Sequence, residues 1–210
     1  MLARLRPLAL LAGLTVAPVA RADRREVYAL VGYEAGASHY TVPAVGTGGA
    51  TAYTGALDLT VFYGLTNFFH LGGRLFLSRS SDIDFRRASV LLPDGSQSTG
   101  DVYANHSALG LGVLALYRLD TGRHLAPVLE LEGGFTLHEY NDVAQVPAGA
   151  SYFVPLPNTW EAALHGSGTV LVEYRFASKW VALAGLGVRL EASGENPWSV
   201  FIPVRIGRVW

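Results

Sequence analysis

The chain has 210 residues, half of them hydrophobic, no cysteine, and a formal net charge of −1. The missing thiols exclude both a disulfide framework and a lipid-anchored cysteine. The near-neutral balance excludes the basic footprint of a nucleic-acid binder, and no stretch beyond residue 22 approaches the ~20 apolar residues of a spanning helix.

Residues 1–22 read as a secretory signal peptide. Arg4 and Arg6 give the basic start, Leu8 to Val19 the apolar run, and Ala20-Arg21-Ala22 the small-residue cleavage site. The expected organisation is a signal peptide, 1–22, and one β domain, 23–210. Without the three arginines of the signal the charge falls from −1 to −4.

From there the chain runs in stretches where every second residue is apolar. The pattern predicts eight strands, at 26–36, 52–63, 68–79, 102–118, 124–138, 160–175, 180–191 and 199–210. Tight connections at Gly64–Asn67, Asp120–Gly122 and Ala177–Lys179 alternate with longer ones at 37–51, 80–101, 139–159 and 192–198. Short periplasmic turns alternating with longer external loops are the habit of outer-membrane barrels. The expected fold is therefore all-β, an eight-stranded antiparallel up-and-down transmembrane barrel in the bacterial outer membrane. No domain is expected after the last strand.

Side chains alternate across a strand. On the apolar parity of each predicted strand only Arg208 is charged, one step from the end, where a long side chain can snorkel. The opposite parity carries Glu34, Asp58, Arg74, Arg118, Glu130, Glu132, Glu161, Glu173, Arg175, Arg189, Glu191 and Arg205, with several glycines. Acids and arginines are interspersed there, which predicts a salt-bridged lumen rather than the one-signed ring of a selective channel. Arg118 and Arg175, on strands adjacent to Glu130 and Glu132, are the expected partners of those two acids. The aromatics form two girdles. Tyr63, Phe69, Tyr117, Tyr174, Trp180 and Trp210 lie at the short-turn ends, and Tyr33, Tyr53, Phe135 and Trp160 toward the long loops. A soluble lipocalin-like barrel would reverse the faces, with an apolar cavity inside.

The segment Phe62-Tyr-Gly-Leu-Thr-Asn-Phe-Phe-His-Leu-Gly-Gly-Arg-Leu75 and the terminal strand ending in Trp210 resemble the small outer-membrane barrels of Gram-negative bacteria, of the OmpA transmembrane-domain and OmpX type. The resemblance is architectural. It implies contact with outer-membrane lipids and lipopolysaccharide, assembly by the barrel-assembly machinery through the C-terminal strand, and a monomer. Arg208 and a final Trp in place of Phe depart from the usual terminal pattern.

Three functions compete. The favoured one is a structural or surface-interaction protein with no open pore, no catalysis and no cofactor, a surface ligand being met at 80–101. That segment is read as extending its flanking strands above the membrane through a turn at Pro93-Asp-Gly95, with Ile83, Phe85, Arg86 and Arg87 displayed and a free edge for strand addition. The second is a lipid A-modifying hydrolase: His165 and Ser167, two apart on a strand, share a face, and small barrels resembling lipid A deacylases carry such a His-x-Ser. Glu132 or Glu161 is the acid that would complete the triad. The third is a small passive channel. His70 and His106, on adjacent strands, are the one histidine pair expected to approach, too few for a metal site. His39 and His138 are expected to be solvated.

Overall fold

Ten strands form, not the eight expected. They are β1 Val27–Thr41, β2 Gly46–Thr47, β3 Gly49–Gly64, β4 Phe69–Leu91, β5 Gln97–Arg118, β6 Leu125–Pro147, β7 Val154–Pro155, β8 Thr159–Arg175, β9 Trp180–Ala192 and β10 Trp198–Val209. The structure is a computed structural model and describes residues 26–41, 46–47, 49–92, 94–119, 124–176, 179–192 and 197–210. The expected signal peptide 1–22, the Asp120–Gly122 turn, Pro93, Ala177 and Ser178 lie outside the described residues.

All pairings are antiparallel, and β4-β3-β1-β10-β9-β8-β6-β5 closes into a ring through the β4–β5 and β1–β10 ladders. The two ends of the described chain meet in that closure: Trp210 N donates to Val27 O at 3.0 Å. The additional strands lie within segments read as loops. β2 pairs with β4 at Val90 and Ser89, and β7 pairs with β6 at Ala144 and Gln145. The expectation of eight strands fails because β4, β5 and β6 run well past the ring. Their protruding sheet has two unpaired edges, and two-residue segments satisfy part of each.

Three bulges explain how the protrusion can be apolar inside. Asp82, Arg87 and Asp142 have φ of 56°, 53° and 53°. The β4–β5 register slips between Ser80 and Ile83 and again between Phe85 and Ala88, and the β5–β6 register slips between Tyr103 and Asn105. One extra residue reverses which side chains point inward. Ile83 and Phe85 share parity with Leu71, Leu75 and Leu77, yet they are buried while those leucines are exposed. Ile83, Phe85, Ala88, Val90, Val102 and Val143 pack on Tyr40, Tyr140 and Leu156 in one apolar cluster. Asn105 ties two bulges together: its Oδ1 accepts from Asp82 N at 3.2 Å and its Nδ2 donates to Asp142 Oδ2 at 3.0 Å. The hairpin tip closes through Gly95 N to Leu92 O, 2.9 Å, with Gly95 at φ 82°. There the Ser96 hydroxyl and amide hold the Asp94 carboxyl below its ordinary pKa.

Within the ring, glycines make room for large inward side chains. A Cβ on Gly110 would sit 2.1 Å from the Phe76 ring. That ring cannot swing aside, because the Arg189 guanidinium lies 4.2 Å from its centroid and His165 packs edge-on at 5.7 Å. Gly110→Ala is expected to lower stability by about 1–3 kcal/mol through overpacking. Gly133→Ala, on the outer face with nothing within 4 Å, is expected to be neutral. Urea midpoints of the two variants in the same bilayer check the contrast.

Candidate functional site

The inward side chains fill the ring in layers. At the short-turn end Arg118 Nε donates to Glu173 Oε1 at 2.8 Å, and Arg175 reaches Glu173 at 2.6 Å and Glu26 at 2.9 Å. Tyr28 OH contacts Arg175 and packs on His70, ring centroids 5.1 Å apart. Next comes an apolar cluster that includes Leu30, Phe62, Leu114, Leu116, Leu171 and Leu183. Strand order places it between two ionic groups. Leu114 and Leu116 separate Arg118 from Gly112, the partner of Arg74, and Leu171 separates Glu173 from Ser167.

The central ionic group joins strands from across the ring. Arg74 contacts Glu34 and lies 2.9 Å from Glu132. Arg205 lies 2.6 Å from Glu130, 3.3 Å from Asp58 and 3.6 Å from Glu34, and Arg189 lies 3.2 Å from Glu34. All seven residues are buried. Glu130 and Glu132 do not take Arg118 or Arg175, the partners expected from adjacent strands. Those two arginines sit below the apolar cluster, while arginines of β10 and β4 cross the narrow interior. Buried carboxylates require such pairing, since an isolated charge in low dielectric costs several kcal/mol.

The hydrolase constellation is not assembled. His165 Nε2 lies 3.3 Å from Glu132 Oε1 and its Nδ1 lies 2.9 Å from Thr136 Oγ1, while Ser167 Oγ donates to Glu132 Oε2 at 3.0 Å. The carboxylate thus holds both the histidine and the serine. A nucleophilic serine needs its proton aimed at the imidazole, with the acid behind it. The group is also buried inside the ring, away from any lipid ester.

Toward the long-loop end, His106 Nε2 lies 2.9 Å from His138 Nδ1, and His138 Nε2 lies 3.1 Å from Glu191 Oε2. His138 is therefore buried rather than solvated, and His106 meets it rather than His70. Antiparallel register explains the second correction: His106 faces Ser80 on β4, ten residues along the strand from His70. Among the described residues no group of three or more His, Cys, Asp or Glu is placed to hold a metal. Glu161 is exposed at this mouth, and the apolar cluster of the protruding sheet lies beyond it.

On the outer face Tyr33, Tyr53, Tyr63, Phe135, Trp160, Tyr174, Trp180 and Trp210 are exposed, and Phe69 and Tyr117 are partly so. Arg208 stacks on Trp210 at 5.8 Å. Sequence reasoning missed the cross-ring pairs, the histidine pair and the bulges. The one signal for a bulge was Asp, a residue that tolerates left-handed backbone, at 82 and 142.

Comparison with known proteins gives the fold and stops there. No family model matches the sequence, and no curated protein matches it. Among solved structures the chain is similar to Neisserial surface protein A, with 11% identity, a TM-score of 0.55, and coverage of 85% of this chain and 96% of that one. It is similar also to Ail, the attachment invasion locus protein of Yersinia pestis, with 9% identity, a TM-score of 0.52, and coverage of 89% and 99%. A second Ail structure, in complex with the heparin analogue sucrose octasulfate, gives a TM-score of 0.53 at the same identity and coverage. The chain thus has the fold of these outer-membrane surface proteins, with ten strands in place of the eight that the family resemblance implied.

Proposed function

We propose that this chain is an outer-membrane protein with a structural or surface-interaction role, neither a pore nor an enzyme. Its export by cleavage after residue 22, contact with lipopolysaccharide, and assembly through the strand ending in Trp210 belong to the same reading. The observation that carries it is the filled interior. An apolar cluster lies on each side of the central ionic group, and that group alternates arginine with acid. An aqueous path would have to break several buried ion pairs and wet two apolar layers.

The working surface is the protruding sheet. Arg86, its Nε 3.1 Å from Asp84, is exposed beside Arg87, and Tyr103 packs on exposed Phe153 at 6.0 Å. The attachment in the name of Ail supports a surface role for such a fold. Recruitment by strand addition loses its basis, because β2 and β7 occupy part of each edge and the bulges interrupt β4. Deleting 83–92 would remove Ile83, Phe85, Ala88 and Val90 from the apolar cluster, so ligand contact is better probed with Arg86→Gln, Arg87→Gln and Phe153→Ser.

Reconstituted in planar bilayers, the full protein is expected to show no stable single-channel steps. Regular steps that shift with Arg205→Ala would establish the channel instead. Lipid A from cells expressing the protein is expected to keep its mass, and a mass change lost in His165→Ala would establish the hydrolase.

A further inference from the structure

The outer wall of the ring carries a groove that its filled interior does not explain. It encloses about 970 Å³ and spans the outer faces of β3, β4, β5 and β6. Two rows of residues, read across the ladders, define it. The lower row is Leu57, Leu77, Leu109 and Leu137, all exposed; the row directly above is Gly55, Arg79, Ser107 and Glu139. Four leucines followed one step later by charge and hydroxyl mark a boundary between hydrocarbon and headgroups. Gly55 lowers the wall beside Arg79, and the Tyr33 ring lies over it: its hydroxyl is 2.3 Å from where a Cβ would stand. Trp160, next to Glu139 on β8, walls the other side.

Arg79 is exposed, and among the described residues no carboxylate lies within ion-pair distance of it. Glu139 stands two strands away, about 10 Å by strand spacing, and is engaged by Ser107 Oγ at 3.3 Å. Above Arg79 a polar alcove of about 460 Å³ opens, lined by Asn105, Asn141, Asp142 and Asn158. A free guanidinium favours phosphate. Asparagine amides and a carboxylate suit sugar hydroxyls, an indole face suits a sugar ring, and a leucine floor suits acyl chains.

We infer that this groove binds a phosphorylated, acylated glucosamine lipid of the outer leaflet, with a phosphate on Arg79, the sugar under the asparagines and beside Trp160, and acyl chains along the leucine row. The inference rests on the outer-membrane reading above and adds to it a defined site and a ligand class. A merely greasy wall would need neither the unpaired arginine nor the alcove.

The test uses the full folded protein, inserted first into phosphatidylcholine vesicles and then examined by native mass spectrometry with added lipids. The probes are bis-phosphorylated hexa-acyl lipid A, the same lipid without phosphates, phosphatidylglycerol and inorganic phosphate. Wild type is expected to retain one lipid A in preference to phosphatidylglycerol. Arg79→Gln should weaken retention about tenfold, the loss of a charge-assisted hydrogen bond, and Arg86→Gln should not. Removing the phosphates should weaken wild type as much and leave Arg79→Gln unaffected. Equal retention by folded Arg79→Gln, equal binding of phosphatidylglycerol, or displacement by inorganic phosphate alone would overturn the inference. Failure of wild type to insert into vesicles at all would instead overturn the membrane reading beneath it.

Discussion

Arg205→Ala is expected to lose about 3–5 kcal/mol of stability, the usual result of deleting one partner from a buried ionic group. Arg205 is among the most completely buried side chains, at 1% exposure. Its guanidinium lies within 4 Å of Glu130, Asp58 and Glu34. Without it Arg74 and Arg189 are left to answer Glu34, Asp58, Glu130 and Glu132. Adding Glu130→Gln removes one stranded charge and is expected to restore part of the loss, so that the two effects are less than additive. Urea titrations of the bilayer-inserted protein read the difference. An Arg205→Ala protein as stable as wild type would mean that the interior is wet enough to solvate the acids, and the sealed-lumen argument would fall.

Leu131→Arg is expected to cost roughly 2–4 kcal/mol of insertion free energy, falling toward zero or one near the interfaces. Leu131 is 55% exposed in the middle of β6. Its cross-strand neighbours are Ala115 and Gly168, so nothing nearby can shelter a guanidinium. Leu57→Arg and Leu186→Arg should behave alike. The native rim residue Arg208 shows what is tolerated where it can reach headgroups. Mobility of unheated samples on gels separates inserted from unfolded chains. Indifference at all three positions would mean that the leucine face does not meet lipid.

How much of this was legible in the sequence follows from the range of each signal. Alternation has a period of two and is read locally, so facing within the ring could be taken from residues such as Leu57 and Asp58. The protruding sheet could not. Ile83 and Phe85 continue the parity of Leu77, and one bulge at Asp82 turns them inward without any change of hydropathy pattern. β2 and β7 are too short to carry a periodic signal, and they form because β4 and β6 offer them an edge. The lumen residues were visible as charged positions on the inner parity. Their pairing was not, since Arg205 meets Glu130 across the interior and sequence gives no distance across a ring. The histidine at 165 and the serine at 167 share a face as their spacing requires, but only coordinates show the Glu132 carboxylate between them.

The central claim is that the ring crosses the outer membrane with the protruding sheet outside and the short turns in the periplasm. The chain has no cysteine, so Ser96→Cys at the hairpin tip and Thr66→Cys in the turn between β3 and β4 each introduce a sole thiol. A membrane-impermeant maleimide applied to intact cells is expected to label Ser96→Cys, and to label Thr66→Cys only after the outer membrane is permeabilised. Labelling of Thr66→Cys on intact cells, with Ser96→Cys protected, would contradict the account.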